Sequence, residues 1–152
     1  MKKLFLFLTI ALLSISAQAQ EIQWMTFNQA LTAQKKKAKP IFMDVYTDWC
    51  GPCKLLDKNT FSDPKVIEHI NKNYYAVKFN AEGNEKITYK GKTFANAEYN
   101  ESRKGRNSMH DLTMFLNIQG YPSMVIFTNK GEVSNTIVGY HTADALLEKL
   151  KQ

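Results

Sequence analysis

Ile41-Phe42-Met43-Asp44-Val45-Tyr46-Thr47-Asp48-Trp49-Cys50-Gly51-Pro52-Cys53-Lys54 is the stretch on which the fold turns. Its first six residues are apolar except for one acid, the pattern of a central strand buried on both faces, and Asp44 is the anomaly in it. The next segment, 50–59, reads as a helix with Pro52 in its first turn, where no intrahelical donor is lost. A bare CxxC is a weak motif, but one placed where a strand runs into a helix is a strong one. At a helix N-cap the Cys50 sulfur meets unpaired backbone N–H groups and the positive end of the helix dipole. Both favour the thiolate, so Cys50 is expected to be the nucleophile. Cys53 is three residues on, where helical side chains are neighbours at about 5–6 Å between Cβ atoms, close enough for a disulfide after modest adjustment. It is expected to resolve the mixed disulfide, while Gly51 lets another chain approach.

Working outward, 22–25 is a short extended start. Residues 27–39 carry Phe27, Ala30, Leu31 and Ala38 at helical spacing, with Pro40 as the stop. Asp63-Pro64 reads as an N-cap followed by proline at the first helical position, opening a helix over 65–73; 74–80 is the next strand. Two strands, 123–128 and 133–140, flank the turn Asn129-Lys130-Gly131-Glu132, and 142–151 makes a closing amphipathic helix. Between them, 81–106 is polar, with Gly83, Gly91 and Gly105, and is expected to be a long surface excursion; from Ser108 the pattern of Met109, Leu112, Met114, Phe115 and Leu116 turns helical. Excursions of this length are uncommon unless they carry function or are mobile, so 81–116 is expected to shape a partner surface.

The chain has 152 residues, enough for one ordinary domain, and its 44% hydrophobic and 22% charged content excludes a disordered chain. No segment repeats at a solenoid or propeller period. Residues 1–19 have the three-part layout of a secretory signal: basic Lys2 and Lys3, an apolar run from Leu4 to Leu13, and Ala17-Gln18-Ala19 as a cleavage site. The apolar run is shorter than the roughly 20 residues of a membrane span, so the expected product is periplasmic, with no stable membrane insertion once the signal is removed. Twenty Lys and Arg stand against fourteen Asp and Glu; without Lys2 and Lys3 the balance is 18 against 14, or +4, which is no signature of a nucleic-acid partner. Lys35, Lys36, Lys37 and Lys39 read as the wet face of a helix. Exported chains use cysteines as structural staples, yet this one has only Cys50 and Cys53. A bridge between them closes a loop too small to restrain the unfolded chain much, so chemistry explains them better. Zinc would need about four ligands, and His69, His110 and His141 lie in different segments without metal spacing. Each is expected to be a surface or helix residue.

The stretch 41–54 strongly resembles the active-site strand and helix of the thioredoxin superfamily. Gly120-Tyr121-Pro122 before a strand resembles that family's cis-proline loop, and Gly139 after the final strand resembles its glycine near the active site. Tyr46 stands where many relatives carry Trp. The resemblance implies an α/β thioredoxin fold, a central mixed sheet with helices on both faces, over 20–152 with 81–106 as an insertion before the cis-proline loop. It matches Asp44 to the family's buried acid behind the disulfide and Lys78 to the lysine that accompanies it. An acid in an apolar strand has a raised proton affinity and could relay a proton to or from Cys53; its alternative is a structural acid neutralised by Lys78. Trp49, Gly51, Pro52, Tyr121, Pro122 and Gly139 are the implied substrate-binding positions, with the Tyr121 backbone free to pair with an extended segment. The implied activity is an exported thiol–disulfide oxidoreductase with no cofactor beyond the Cys50–Cys53 disulfide. It would reduce disulfide-containing exported proteins with electrons from a membrane thiol-transfer protein. An oxidase or isomerase on the same site, or a non-enzymatic binding or chaperone module, are the alternatives.

Overall fold

Twelve short elements follow one another in a computed structural model that describes residues 20–151. They are β1 (Trp24–Met25), α1 (Phe27–Lys36), β2 (Ile41–Tyr46), α2 (Gly51–Asn59), α3 (Pro64–Asn73) and β3 (Tyr75–Asn80). After these come β4 (Ile87–Tyr89), β5 (Lys92–Phe94), α4 (Asp111–Phe115), β6 (Ser123–Phe127), β7 (Val133–Val138) and α5 (Ala143–Leu150). The expected signal over 1–19 lies outside the described residues. Five strands form one mixed sheet in the order β1-β3-β2-β6-β7, with β2 parallel to β3 and antiparallel to β6. The α/β architecture expected from the 41–54 stretch is the one observed.

Strand alternation divides the core in two. Ile41, Met43 and Val45 of β2 face one side, packed with Phe27 and Ala30 of α1, Val77 and Phe79 of β3, and Phe127 of β6. Phe42 faces the other, among Leu56 of α2, Val66 and Ile70 of α3, Met124 of β6 and Leu146 of α5. Asp44 falls in the Phe42 set by this alternation, so its carboxyl lies on the side of the sheet that α2 covers. Each helix starts where its side-chain chemistry allows. Thr26 makes a capping box with Gln29, Asp63 accepts the Lys65 N–H at 2.8 Å with Pro64 at the first position, and Thr142 caps α5.

Three expectations are corrected. Helix α1 ends at Lys36 rather than running to Pro40, because Lys37 is already extended; Gln34 then donates from Nε2 to the Lys39 and Thr128 carbonyls, tying the exit of the helix to the sheet. More consequentially, 81–106 is not simply a surface excursion. Within it β4 and β5 pair as a hairpin around Lys90-Gly91, both at positive φ (51° and 73°), as two-residue hairpin turns require. Ile87, Tyr89 and Phe94 of that hairpin are buried in the α1-side core. His110, expected at the surface or on a helix, is fully buried as the N-cap of α4. Its Nδ1 accepts the Leu112 N–H at 3.1 Å and its Nε2 lies 2.6 Å from the Glu85 carbonyl, which fixes the proton on Nε2.

Candidate active site

Cys50 is the N-cap of α2, and its Sγ accepts the Cys53 N–H at 3.1 Å. The two cysteines are joined as a disulfide with Cα atoms 5.3 Å apart. Strand β2 delivers them: its last residue, Tyr46, is followed by a short turn in which the Cys50 N–H donates to the Thr47 carbonyl at 3.2 Å. Cys50 and Cys53 are only 2% and 3% exposed, whereas the intervening Gly51 and Pro52 are exposed. A partner therefore meets the 51–52 turn before either sulfur. A Cβ built on Gly51 would touch nothing within 4 Å, so glycine there keeps the outer surface low rather than relieving an internal clash.

Beneath α2, Asp44 is 1% exposed and sits in register with Lys78 of the parallel neighbour β3. The Lys78 ammonium is 2.6 Å from Asp44 Oδ2 and 2.5 Å from Asp57 Oδ1 on α2, and it lies about 5 Å from the ring centres of Trp24 and Tyr46. Asp44 Oδ1 is buried with no hydrogen-bond partner among the described residues. Burial pushes the Asp44 carboxyl up to about 6, against the pull of the Lys78 ammonium. Burial also works against the charge on Lys78, but Asp44 and Asp57 outweigh it and hold the lysine above its ordinary value. Asp57 is one helical turn beyond Cys53, on the same side of α2. The Asp44–Lys78–Asp57 chain thus ties β2 and β3 to the helix that carries the disulfide, and the free Asp44 Oδ1 is a place for a proton.

The opposite wall of the site comes from the 120–123 loop and the end of β7. The Tyr121–Pro122 peptide is cis, Pro122 is buried, and its carbonyl accepts the Gly139 N–H at 2.8 Å. Gly139 has φ +90°, a left-handed conformation that a side chain would strain. Tyr121 makes no backbone hydrogen bond among the described residues, and its ring packs edge-on against Trp49 at 5.8 Å.

Trp49 itself is fixed on three sides. Its Nε1–H donates to Glu82 Oε2 at 3.0 Å, Tyr121 meets its ring, and the Arg106 guanidinium carbon stands 4.1 Å from its ring centre. Glu82 Oε2 also accepts the Asn107 N–H at 2.7 Å. Sequence alone singled out Trp49 but none of Asp57, Glu82, Arg106 and Asn107. Charged and amide residues on a helix surface or in a polar loop have no local signal that sets them apart. Among the described residues, no group of three or more His, Cys, Asp or Glu is arranged to hold a metal ion.

The family model for the thioredoxin-like domain matches residues 27–152. The chain belongs to the thioredoxin-like family. That places it in the thioredoxin superfamily of thiol–disulfide oxidoreductases, in keeping with a redox-type cysteine pair at a strand-to-helix junction. Among curated relatives, the thiol:disulfide interchange protein DsbD of Campylobacter jejuni (strain RM1221) is 31% identical over 125 residues, covering 82% of this chain and 18% of the relative. DsbD of Escherichia coli (strain K12) is 29% identical over 107 residues, 69% of this chain and 14% of that one. The chain therefore spans less than a fifth of the length of these curated relatives. Among solved structures, a protein from Bacteroides thetaiotaomicron named as a putative disulphide-isomerase is 28% identical with TM-score 0.61 over 89% of this chain and 94% of that one. The C-terminal domain of Neisseria meningitidis DsbD in its oxidised form shares the fold, at 21% identity and TM-score 0.55 over 85% and 97%.

Proposed function

We propose that this thioredoxin-like chain is an exported reductase of protein disulfides. The observation that carries the proposal is the Cys50 sulfur at the N-cap of α2, accepting the Cys53 backbone N–H and joined to Cys53 as a disulfide at a strand-to-helix junction; the buried Asp44 carboxyl, with one free oxygen, is read as the proton acceptor. In the reduced protein the Cys50 thiolate attacks one sulfur of a substrate disulfide; the new S–S bond forms as the substrate's bond breaks, and one substrate thiolate leaves. Cys53 then attacks Cys50, losing its proton to Asp44, and the second substrate thiolate departs with a proton from solvent. Two electrons have moved to the substrate and the Cys50–Cys53 disulfide is restored. Lys78 positions Asp44, and Trp49, Gly51, Pro52, Tyr121, Pro122 and Gly139 form the rim that receives the substrate, the unpaired Tyr121 backbone meeting an extended segment as an added strand.

The DsbD relatives, named as thiol:disulfide interchange proteins, support exchange of this kind and a membrane thiol-transfer protein as the source of electrons; the reductive direction rests on Cys50-Gly51-Pro52-Cys53, which resembles the reducing members of the superfamily. Export rests on the layout of residues 1–19, with the mature chain beginning at Gln20 in the periplasm and 81–106 as an insertion into the thioredoxin-like domain. Equilibration of the Cys50–Cys53 couple against glutathione tests the direction. A potential near about −270 mV, the figure for thioredoxin, is expected; one near about −120 mV, that of a strong oxidase, would reverse the assignment. Cys50→Ser abolishes exchange, and Cys53→Ser traps substrates as mixed disulfides on Cys50. A Cys50→Ser protein that still turns over its partners would leave the fold as a binding module.

A further inference from the structure

We infer that the tip of the 81–106 segment is a docking site for acidic residues flanking the partner's disulfide; this rests on the exchange activity proposed above. Arg103, Lys104 and Arg106 are exposed, and none forms an ion pair among the described residues. The Arg106 guanidinium carbon lies over the indole of Trp49, the residue immediately before Cys50, 4.1 Å from its ring centre. Such a cation–π contact leaves the guanidinium N–H groups not turned to the ring free for a carboxylate.

The tip is also held in place. Asn107 donates its N–H to Glu82, its Nδ2 donates to the Asn100 carbonyl at 2.8 Å, and its Oδ1 accepts the Asn100 N–H at 3.0 Å. Asn96 donates from Nδ2 to the Ser108 carbonyl at 2.8 Å and to the Gly83 carbonyl at 3.0 Å, closing the base of the loop. A solvated insertion has no need of such a lattice; a surface that presents charge beside a reaction centre does, because order paid for in folding is not lost again on binding. The acids nearest the site are held in place by neutral donors, Asp48 by Asn80 and Glu82 by Trp49 and Asn107. Glu98 and Glu101 belong to the same segment; Arg106 is the cation placed against Trp49, with Lys104 and Arg103 just before it. A partner carboxylate paired there brings its neighbouring disulfide over the 51–52 turn.

The test uses three synthetic disulfide peptides, identical except for flanks of three Asp, three Ser or three Lys, and measures the second-order rate at which each oxidises the purified, reduced protein. The Asp-flanked peptide is expected to react about tenfold faster than the Lys-flanked one at low salt, with the gap closing as salt is raised. The gap is expected to shrink in R106Q and to vanish in R103Q/K104Q/R106Q. Equal rates for all three flanks in the unaltered protein would overturn the inference while leaving exchange intact, as would a gap that survives the triple substitution. Failure of every peptide to oxidise the protein would instead overturn the exchange activity, and the docking site with it.

Discussion

Asp44 is the residue on which chemistry and stability pull against each other. Its folded carboxyl holds a proton up to about pH 6, while in the unfolded chain the same group ionises near 3.8. Between those values the folded state binds the extra proton, so this group's contribution to stability falls as pH rises from about 4 to about 6, and above that the cost is fully present. Asp44→Asn removes that cost. The variant is expected to be more stable at pH 7 by on the order of 1–3 kcal/mol, with a flatter stability profile through that window, read by urea unfolding across pH. On the proposed mechanism the same change deprives Cys53 of its proton acceptor, so resolution of the mixed disulfide at pH 7 is expected to slow about 100-fold in stopped-flow exchange. A variant that is stabilised but resolves at the normal rate would reduce Asp44 to a structural acid. Asp44 was legible because an acid inside an apolar run is an anomaly at short range. Asp57 was not, because an acid on a helix surface is ordinary until Lys78, 21 residues away in sequence, is brought to 2.5 Å from it.

Elements with strong periodicity and chemical punctuation were read within a residue or two: β2 at Ile41–Tyr46, α3 behind Asp63-Pro64, α5 behind Thr142. The β4–β5 hairpin escaped because its strands are three residues each, too short for alternation to stand out among lysines and threonines. The signal was there in Ile87-Thr88-Tyr89 and Lys92-Thr93-Phe94 on either side of Lys90-Gly91. Its burial gives a direct test. Phe94→Ala removes a fully buried ring and is expected to cost about 3–5 kcal/mol, whereas Thr93→Ser, exposed on the opposite face of the same strand, stays within about 0.5 kcal/mol. Thermal unfolding of the two variants checks this; equal, small effects would return the hairpin to the status of a surface appendage.

At the scale of the whole molecule, one sheet carries two apolar layers, and the hairpin and α4 are part of one of them. Unfolding is therefore expected to be a single cooperative transition. Trp24, packed on the α2-side core, and Trp49, tied by Glu82 to the 81–106 segment, give separate fluorescence reporters in single-tryptophan variants, and their transitions should coincide with that of circular dichroism. An earlier transition at Trp49 would mark the segment as a separate unit. The sequence by itself determined the strand-to-helix placement of Cys50 and Cys53, the helix caps and the two-sided burial of β2, because these follow from spacing and side-chain chemistry within about a dozen residues. Only the tertiary structure decided that Asp57 completes the Lys78 chain, that Ile87, Tyr89 and Phe94 are core, and that Arg106 lies on Trp49. Each joins residues far apart along the chain, and no local pattern encodes which distant partner the packing of two layers on one sheet will bring within reach.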